Sequence, residues 1–186
     1  MASAFSHAVA SFSIGSITKI SKQLSAKGFD WKFWLLGAFC AAIPDADAIG
    51  FKLGVPYESF WGHRGFTHSF VFALLLALVV MFTFYKAEKI DTKRWWLLLL
   101  FFFLATASHP ILDAMTTGGL GVAFFSPFDN TRYFFPFRPI KVSPISISQF
   151  FTQWGRRVIK SELVWVWLPS FFIIIIAQII KKLSAR

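Results

Sequence analysis

With one cysteine in 186 residues, Cys40 in the run WLLGAFCAAIP, the chain can form no internal disulfide, and its apolar neighbours mark the thiol as a packing group. Charge is scarce as well. Asp, Glu, Lys and Arg make up 15% of the residues, against roughly 25% in an ordinary soluble domain, which excludes a water-soluble globule of this size. Acidic residues are the scarcer sign, nine against nineteen basic, for a formal net charge of +10. In a soluble protein that excess would suggest nucleic acid, but no base-stacking module or zinc-finger spacing accompanies it. In a membrane protein basic residues gather in cytoplasmic loops and against anionic headgroups, so no nucleic-acid partner is expected. The opening residues MASAFSHAVASFSIG lack the basic stretch and small-residue cleavage site of a secretory signal and are expected to stay in the folded protein.

What the chain has in abundance is apolar surface: 56% of its residues are hydrophobic, with 25 Phe and 8 Trp. Crossing the hydrocarbon core takes about 20 apolar residues. Four runs, 33–51, 70–85, 95–114 and 163–180, come close, and residues 4–18, rich in Ser and Gly, form a fifth that suits close helix packing better than contact with lipid. The expected fold is therefore an all-α, polytopic membrane bundle of four to five transmembrane helices, one domain over residues 1–186. Residues 118–150, interrupted by Pro127, Pro136, Pro139 and Pro144 and rich in aromatics, read as an ordered interfacial loop. If the four strong runs alternate in direction, one side holds eleven Lys or Arg, among them Lys19, Lys22, Lys27, Lys32 and those of the tail KKLSAR, and the other holds eight, six of them in the long segment 115–162. Short loops set orientation, so the first side is expected to be cytoplasmic.

On that topology nearly every possible metal ligand falls on the opposite, outer side. PDAD places Asp45 and Asp47 two apart after a proline, a spacing that in a turn can direct both carboxylates to one cation. HRGFTHS supplies His63 and His68, which share a site only if His63 lies in the loop before the helix, as Gly62 and Gly65 permit. HPILD puts His109 and Asp113 at i and i+4 on one helical face, with Pro110 bending the helix beside them. His7 joins the set if residues 4–18 also cross, and Glu162 is expected to ligate or to act as a base. Ionisable groups at the hydrocarbon edge are costly and need a reason. Imidazole with carboxylate suits zinc, or manganese or iron, and this inventory can hold two divalent ions, enough to activate a water for a displacement. Arg64 and Arg138 are the expected grips for an anionic phosphoester; Arg156, Arg157 and Lys160 fit lipid headgroups equally well. Missing motifs exclude related chemistries. There is no HExxH and no GxSxG, and the arginine that phosphohistidine lipid phosphatases carry six residues before HxxxD is Phe103 here.

With PDAD, HRGFTHS, HPILDAMTTGG, SPFDNTRYFFPFRPIKVSPI and SELVWVWLP in view, the chain resembles the YdjM-like bacterial inner-membrane proteins classed as LexA-regulated, membrane-bound metal-dependent hydrolases. A more distant similarity, in HxxxD and the His, Asp and Glu inventory, is to zinc-dependent bacterial phospholipase C. The resemblance implies a multi-pass inner-membrane metal-dependent hydrolase but names no substrate; the outer-side ligands and the arginines add the expectation of a site toward the periplasm where a metal-activated water cleaves a phosphoester of a phospholipid or lipid-linked phosphate. The competing expectations are a metal or proton transporter, which would spread its ligands through the depth of the bilayer, and a non-catalytic membrane protein.

Overall fold

In the computed structural model, which describes residues 1–25, 30–144 and 147–184, the chain is an all-helical bundle. Lys27 and Arg186, two of the eleven cations assigned to the cytoplasmic side, lie outside the described residues. The helices are α1 (Ala4–Thr18), the single turn α2 (Lys22–Ser25), α3 (Trp31–Ala42), α4 (Phe70–Phe84), α5 (Lys93–Ala114), α6 (Gln153–Glu162) and α7 (Leu168–Leu183). Four of the helices, α1, α3, α4 and α5, open where the sequence offers a capping oxygen to orphan backbone donors. Ser3 accepts from Ser6 N–H, Asp30 from Phe33 N–H, Ser69 from Phe72 N–H and Thr92 from Trp95 N–H.

Three helical stretches are long and apolar enough to cross a membrane, Trp31–Leu53, Lys93–Ala114 and Gln153–Leu183, and Phe70–Phe84 is a shorter apolar helix. The first two hold irregularities that the apolar pattern hides or misleads about. α3 tightens at Pro44 into a 3-10 helix over Ile43–Leu53, whereas α5 runs on through Pro110 to Ala114 without a break. The last stretch begins well before the apolar run, because α6 buries Gly155, Val158 and Glu162 on one face and exposes its cations on the other. A single π-turn, Leu163–Trp167, joins α6 to α7.

α1 is the hub, packed on α3, α5 and α7. Its small residues make this possible: a Cβ on Gly15 would lie 2.6 Å from the Trp34 ring and 3.1 Å from Phe101. Below it Phe33 stacks on Phe101 with ring centroids 4.0 Å apart, and Cys40, Met81, Leu98 and Phe102 complete a core without solvent exposure of note. The free Cys40 thiol is buried there as packing. The direction of the helices sorts the charges. Lys19 lies over the Phe33 ring, Lys32 over Tyr85, and Arg94 pairs with Glu88 at 2.8 Å, all at one end. The first residues of α1 and α4 and the last residues of α5 meet at the other.

That second end is roofed by the two long connections. Arg132 pins them together, its guanidinium donating to the carbonyls of His63, Tyr57 and Ser59, while Val122 and Tyr133 exchange a pair of backbone hydrogen bonds within the proline-rich segment.

Candidate metal centre

All four histidines of the chain meet at the roofed end, and with them Asp45, Asp47 and Asp113. His7, His68, His109 and Asp113 are fully buried, and Asp45 keeps 11% exposure. The innermost group consists of Asp45, His68, His109 and Asp113, each offering one ligand atom within 4.8 Å of the others.

The hydrogen bonds around the imidazoles fix which nitrogen faces the group. His109 Nδ1 sits 2.7 Å from the Ala41 carbonyl. A carbonyl only accepts, so that nitrogen carries the proton and Nε2 presents its lone pair inward. His68 Nδ1 lies 3.1 Å from Asp47 Oδ2, which likewise turns Nε2 inward. The two Nε2 atoms are 3.1 Å apart. Asp45 Oδ1 is 3.2 Å from His109 Nε2 and 3.6 Å from His68 Nε2, and Asp113 Oδ2 is 3.7 Å from His68 Nε2. For a tetrahedral ion bound at about 2.0–2.1 Å the ligand–ligand edge is about 3.4 Å, the middle of those four separations, while Asp113 stands farther from His109, within 4.8 Å. Both Asp45 oxygens are buried with no hydrogen-bond partner among the described residues, a costly state for a carboxylate unless a cation satisfies it. The donor set therefore fits a bound divalent ion.

Asp45 and Asp47 do not converge on one cation as their spacing suggested. At three residues per turn, positions two apart in a 3-10 helix point about 120° away from each other, so the two carboxylates straddle the His68 ring, Asp45 at Nε2 and Asp47 at Nδ1. Asp47 is a hub of its own. Its Oδ1 is 2.6 Å from His63 Nδ1, and its Oδ2 accepts from the Thr67 hydroxyl and the Arg64 backbone N–H. Asp47, His63 and His68 form a second group able to hold a metal, sharing His68 with the first. As expected, His63 lies in the loop, where Gly62 and Gly65 are required: a Cβ on either would sit 2.3 Å from a backbone carbonyl oxygen.

Burial by itself would lower the pKa of His68, but the carboxylates of Asp45, Asp47 and Asp113 outweigh it and raise the value from 6.5 to about 9. At His63 burial wins over Asp47 and the pKa falls. In the absence of metal His68 thus carries a proton at neutral pH, and a cation must displace it. Apparent affinity for zinc should fall about tenfold for each pH unit below 9 until His68's neighbours titrate too, and calorimetry at pH 7 should register close to one proton released per ion; an affinity flat from pH 6.5 to 9 would contradict this geometry.

The remaining site residues are placed differently from the sequence expectation. His7 stacks on His109 with centroids 3.7 Å apart and approaches Asp113 to 3.6 Å, outside the four-atom group, with both ring nitrogens unpartnered among the described residues. Glu162 is engaged elsewhere. Its oxygens accept from Ser3 N–H at 2.6 Å, Ser3 Oγ at 2.6 Å and Ser6 Oγ at 2.8 Å, so it caps α1 where free backbone donors favour an anion. Arg64 is fully buried in the left-handed region at φ 65°, and it holds the protein rather than an exterior anion: Nε donates to Asp113 at 3.0 Å, Nη2 to Thr116 and Nη1 to the Gly118 carbonyl. Arg138 is exposed on the roof, over the Phe134 ring. Sequence reasoning missed Thr116, Thr67 and the serines of α1. TTGG was the available signal, since Gly119, at φ 87°, leaves its Cβ space to Arg64 Nη1.

A family model described as YdjM inner membrane protein matches residues 1–185. The inner membrane protein YbcI of Escherichia coli K12 is 39% identical over 157 residues, covering 83% of this chain and 87% of that protein. No solved structure matches.

Proposed function

We propose that this chain, which belongs to the family of YdjM inner membrane proteins, is a metal-dependent hydrolase that cleaves a phosphoester of a membrane lipid or lipid-linked phosphate. The observation that carries the reading is the convergence of His68 Nε2, His109 Nε2 and Asp45 Oδ1 at 3.1–3.6 Å, with Asp113 Oδ2 3.7 Å from His68, on a buried carboxylate that has no hydrogen-bond partner among the described residues. We assign one ion rather than two, because Asp47, the centre of the second group, already accepts from Thr67, Arg64 N–H and His68 and so orients a ligand from behind. Two imidazoles and two carboxylates within 4.8 Å of one another suit zinc.

Asp113 is the weakest of the four ligands. Its Oδ1 accepts from Ala2 N–H at 2.7 Å and its Oδ2 from Arg64 Nε, so three strong ligands and one divided one leave a coordination position to share, as catalytic zinc sites do. A zinc ion there supplies a Lewis acid and a water ionisable near neutral pH. The chain's own contribution is to hold the imidazoles by Ala41 and Asp47, to exclude bulk water with the roof, and to keep His7 beside Asp113 with ring nitrogens free to take and return a proton.

Depth favours a lipid. His109 is sixteen residues from Lys93 and Asp45 fourteen from Trp31, about 24 Å and 21 Å along their helices, so a bilayer whose hydrocarbon is about 30 Å thick buries the centre several ångströms below the far surface. With the Lys-rich end cytoplasmic, that surface faces the periplasm. The test is metal analysis of purified protein together with phosphate or diacylglycerol release from phospholipid vesicles, for wild type and His109→Ala. About one equivalent of metal and measurable turnover are expected in wild type, both lost in the variant; wild type that stays metal-free after purification with added zinc and releases nothing would overturn the reading.

A further inference from the structure

Along the continuous helix Gln153–Leu183 two grooves of opposite character meet at Glu162. Outward of it Gln153, Arg156, Arg157 and Lys160 line a cleft of about 310 Å³. These positions fall at i, i+3, i+4 and i+7 of α6, one exposed stripe opposite the buried Gly155, Val158 and Glu162. No ion pair is made by the three cations among the described residues. Inward of Glu162 lies a cavity of about 300 Å³ between α1 and α7, lined by Val9, Leu163, Trp167, Leu168, Phe171 and Ile174, every one of them apolar apart from the indole N–H. That N–H is turned away: Trp167 Nε1 donates to Ser6 Oγ at 2.9 Å, and Ser6 in turn donates to Glu162.

We propose that the two grooves together form a binding site for one anionic glycerophospholipid, its phosphate on the Arg156, Arg157 and Lys160 stripe and an acyl chain in the groove beneath. Length agrees. Leu163 to Ile174 spans eleven residues, about 16 Å, one leaflet of a hydrocarbon core about 30 Å thick. Continuity agrees as well, since Lys160 and Leu163 are three apart and so adjacent on the helix surface. The π-turn Leu163–Trp167 sits at the junction; its extra residue per turn swings Trp167 toward α1, where the indole closes the upper end of the groove. Trp167 bonds there to Ser6, the neighbour of His7 on α1. A lipid held there lies on the α1 side of the bundle that also carries His7. As the identity of a substrate this rests on the hydrolase reading; as a binding site it does not.

The experiment measures retention of phosphatidylglycerol against phosphatidylethanolamine by native mass spectrometry of the purified protein, in wild type, in Arg156→Gln/Arg157→Gln/Lys160→Gln and in Ile174→Trp, with thermal denaturation in detergent as the control for folding. Wild type should prefer phosphatidylglycerol about tenfold or more. The triple variant should retain both lipids about equally, and Ile174→Trp, which fills the groove, should weaken both. Equal retention by wild type, or an unchanged preference in the triple variant, would overturn the site. Repeating the measurement on His109→Ala separates the two proposals: a preference that persists while no lipid is cleaved by wild type sustains the site and removes the hydrolase, and cleavage without preference does the reverse.

Discussion

Arg64→Met should be among the most damaging single substitutions in the chain, lowering stability by about 3–5 kcal/mol, with little folded protein recovered from membranes. The guanidinium is fully buried and divides its donors among the Asp113 carboxylate, the Thr116 hydroxyl and the Gly118 carbonyl. Removing it strands a buried carboxylate and two acceptors at once, a loss far above that of one exposed ion pair. Backbone strain adds a second cost, because a side chain other than glycine at φ 65° is held there only by its contacts. Arg64→Lys should recover part of the loss, since an ammonium can meet Asp113 but cannot reach three acceptors as a planar fork does. Thermal denaturation in detergent reads the difference. An Arg64→Met protein as stable as wild type but with a raised KM for an anionic substrate would return this residue to the anion-gripping role that its place beside His63 suggested.

The reassignment of Arg64 shows what the sequence could carry and what it could not. Periodicity and length located the apolar spans within a few residues, because hydrocarbon imposes the same requirement on every crossing segment. His109 and Asp113 were legible as a pair because α-helical geometry alone puts i and i+4 on one face. His63 in a loop followed from the glycines around it. Asp45 and Asp47 were misread as convergent ligands because the 3-10 winding after Pro44 is a tertiary outcome with no distinct pattern, and it sends the two carboxylates to opposite nitrogens of one ring. Glu162 looked like a ligand by its place at the polar edge of an apolar run, yet its partners Ser3 and Ser6 lie more than 150 residues earlier, a pairing no local reading shows. For arginines the ambiguity is intrinsic: the same fork that holds phosphate also holds Asp113 and backbone carbonyls. α6, within the long segment 115–162, was not foreseen as a helix because its stripe of cations masks the three-residue face that docks it.

Asp45→Asn should do the opposite of Arg64→Met: it should abolish metal binding and leave the fold standing. Neither Asp45 oxygen accepts a hydrogen bond from a described residue, although both are buried, so in the metal-free protein the amide forfeits only the attraction of the carboxylate for protonated His68. Among the described residues its ion-pair partners are His68 Nε2 and His109 Nε2 at 3.6 Å and 3.2 Å, the atoms proposed to share a cation with it. Exchanging one anionic oxygen ligand for a neutral one removes a full charge from the site and should lower zinc affinity by at least about 100-fold, beyond the 10–100-fold typical for loss of an outer partner. Without metal the thermal midpoint should fall by only a few degrees, since the change breaks no packing and loses one attraction to protonated His68, while added zinc should stabilise wild type and not the variant. Asp47→Asn is the companion measurement. That carboxylate accepts from Thr67, Arg64 N–H and His68 and contacts His63, so its loss should cost stability even in the metal-free protein. If Asp45→Asn bound zinc as tightly as wild type while Asp47→Asn did not, the ion would belong to Asp47, His63 and His68, and the tetrahedral group described above would be a hydrogen-bonded cluster around a protonated His68.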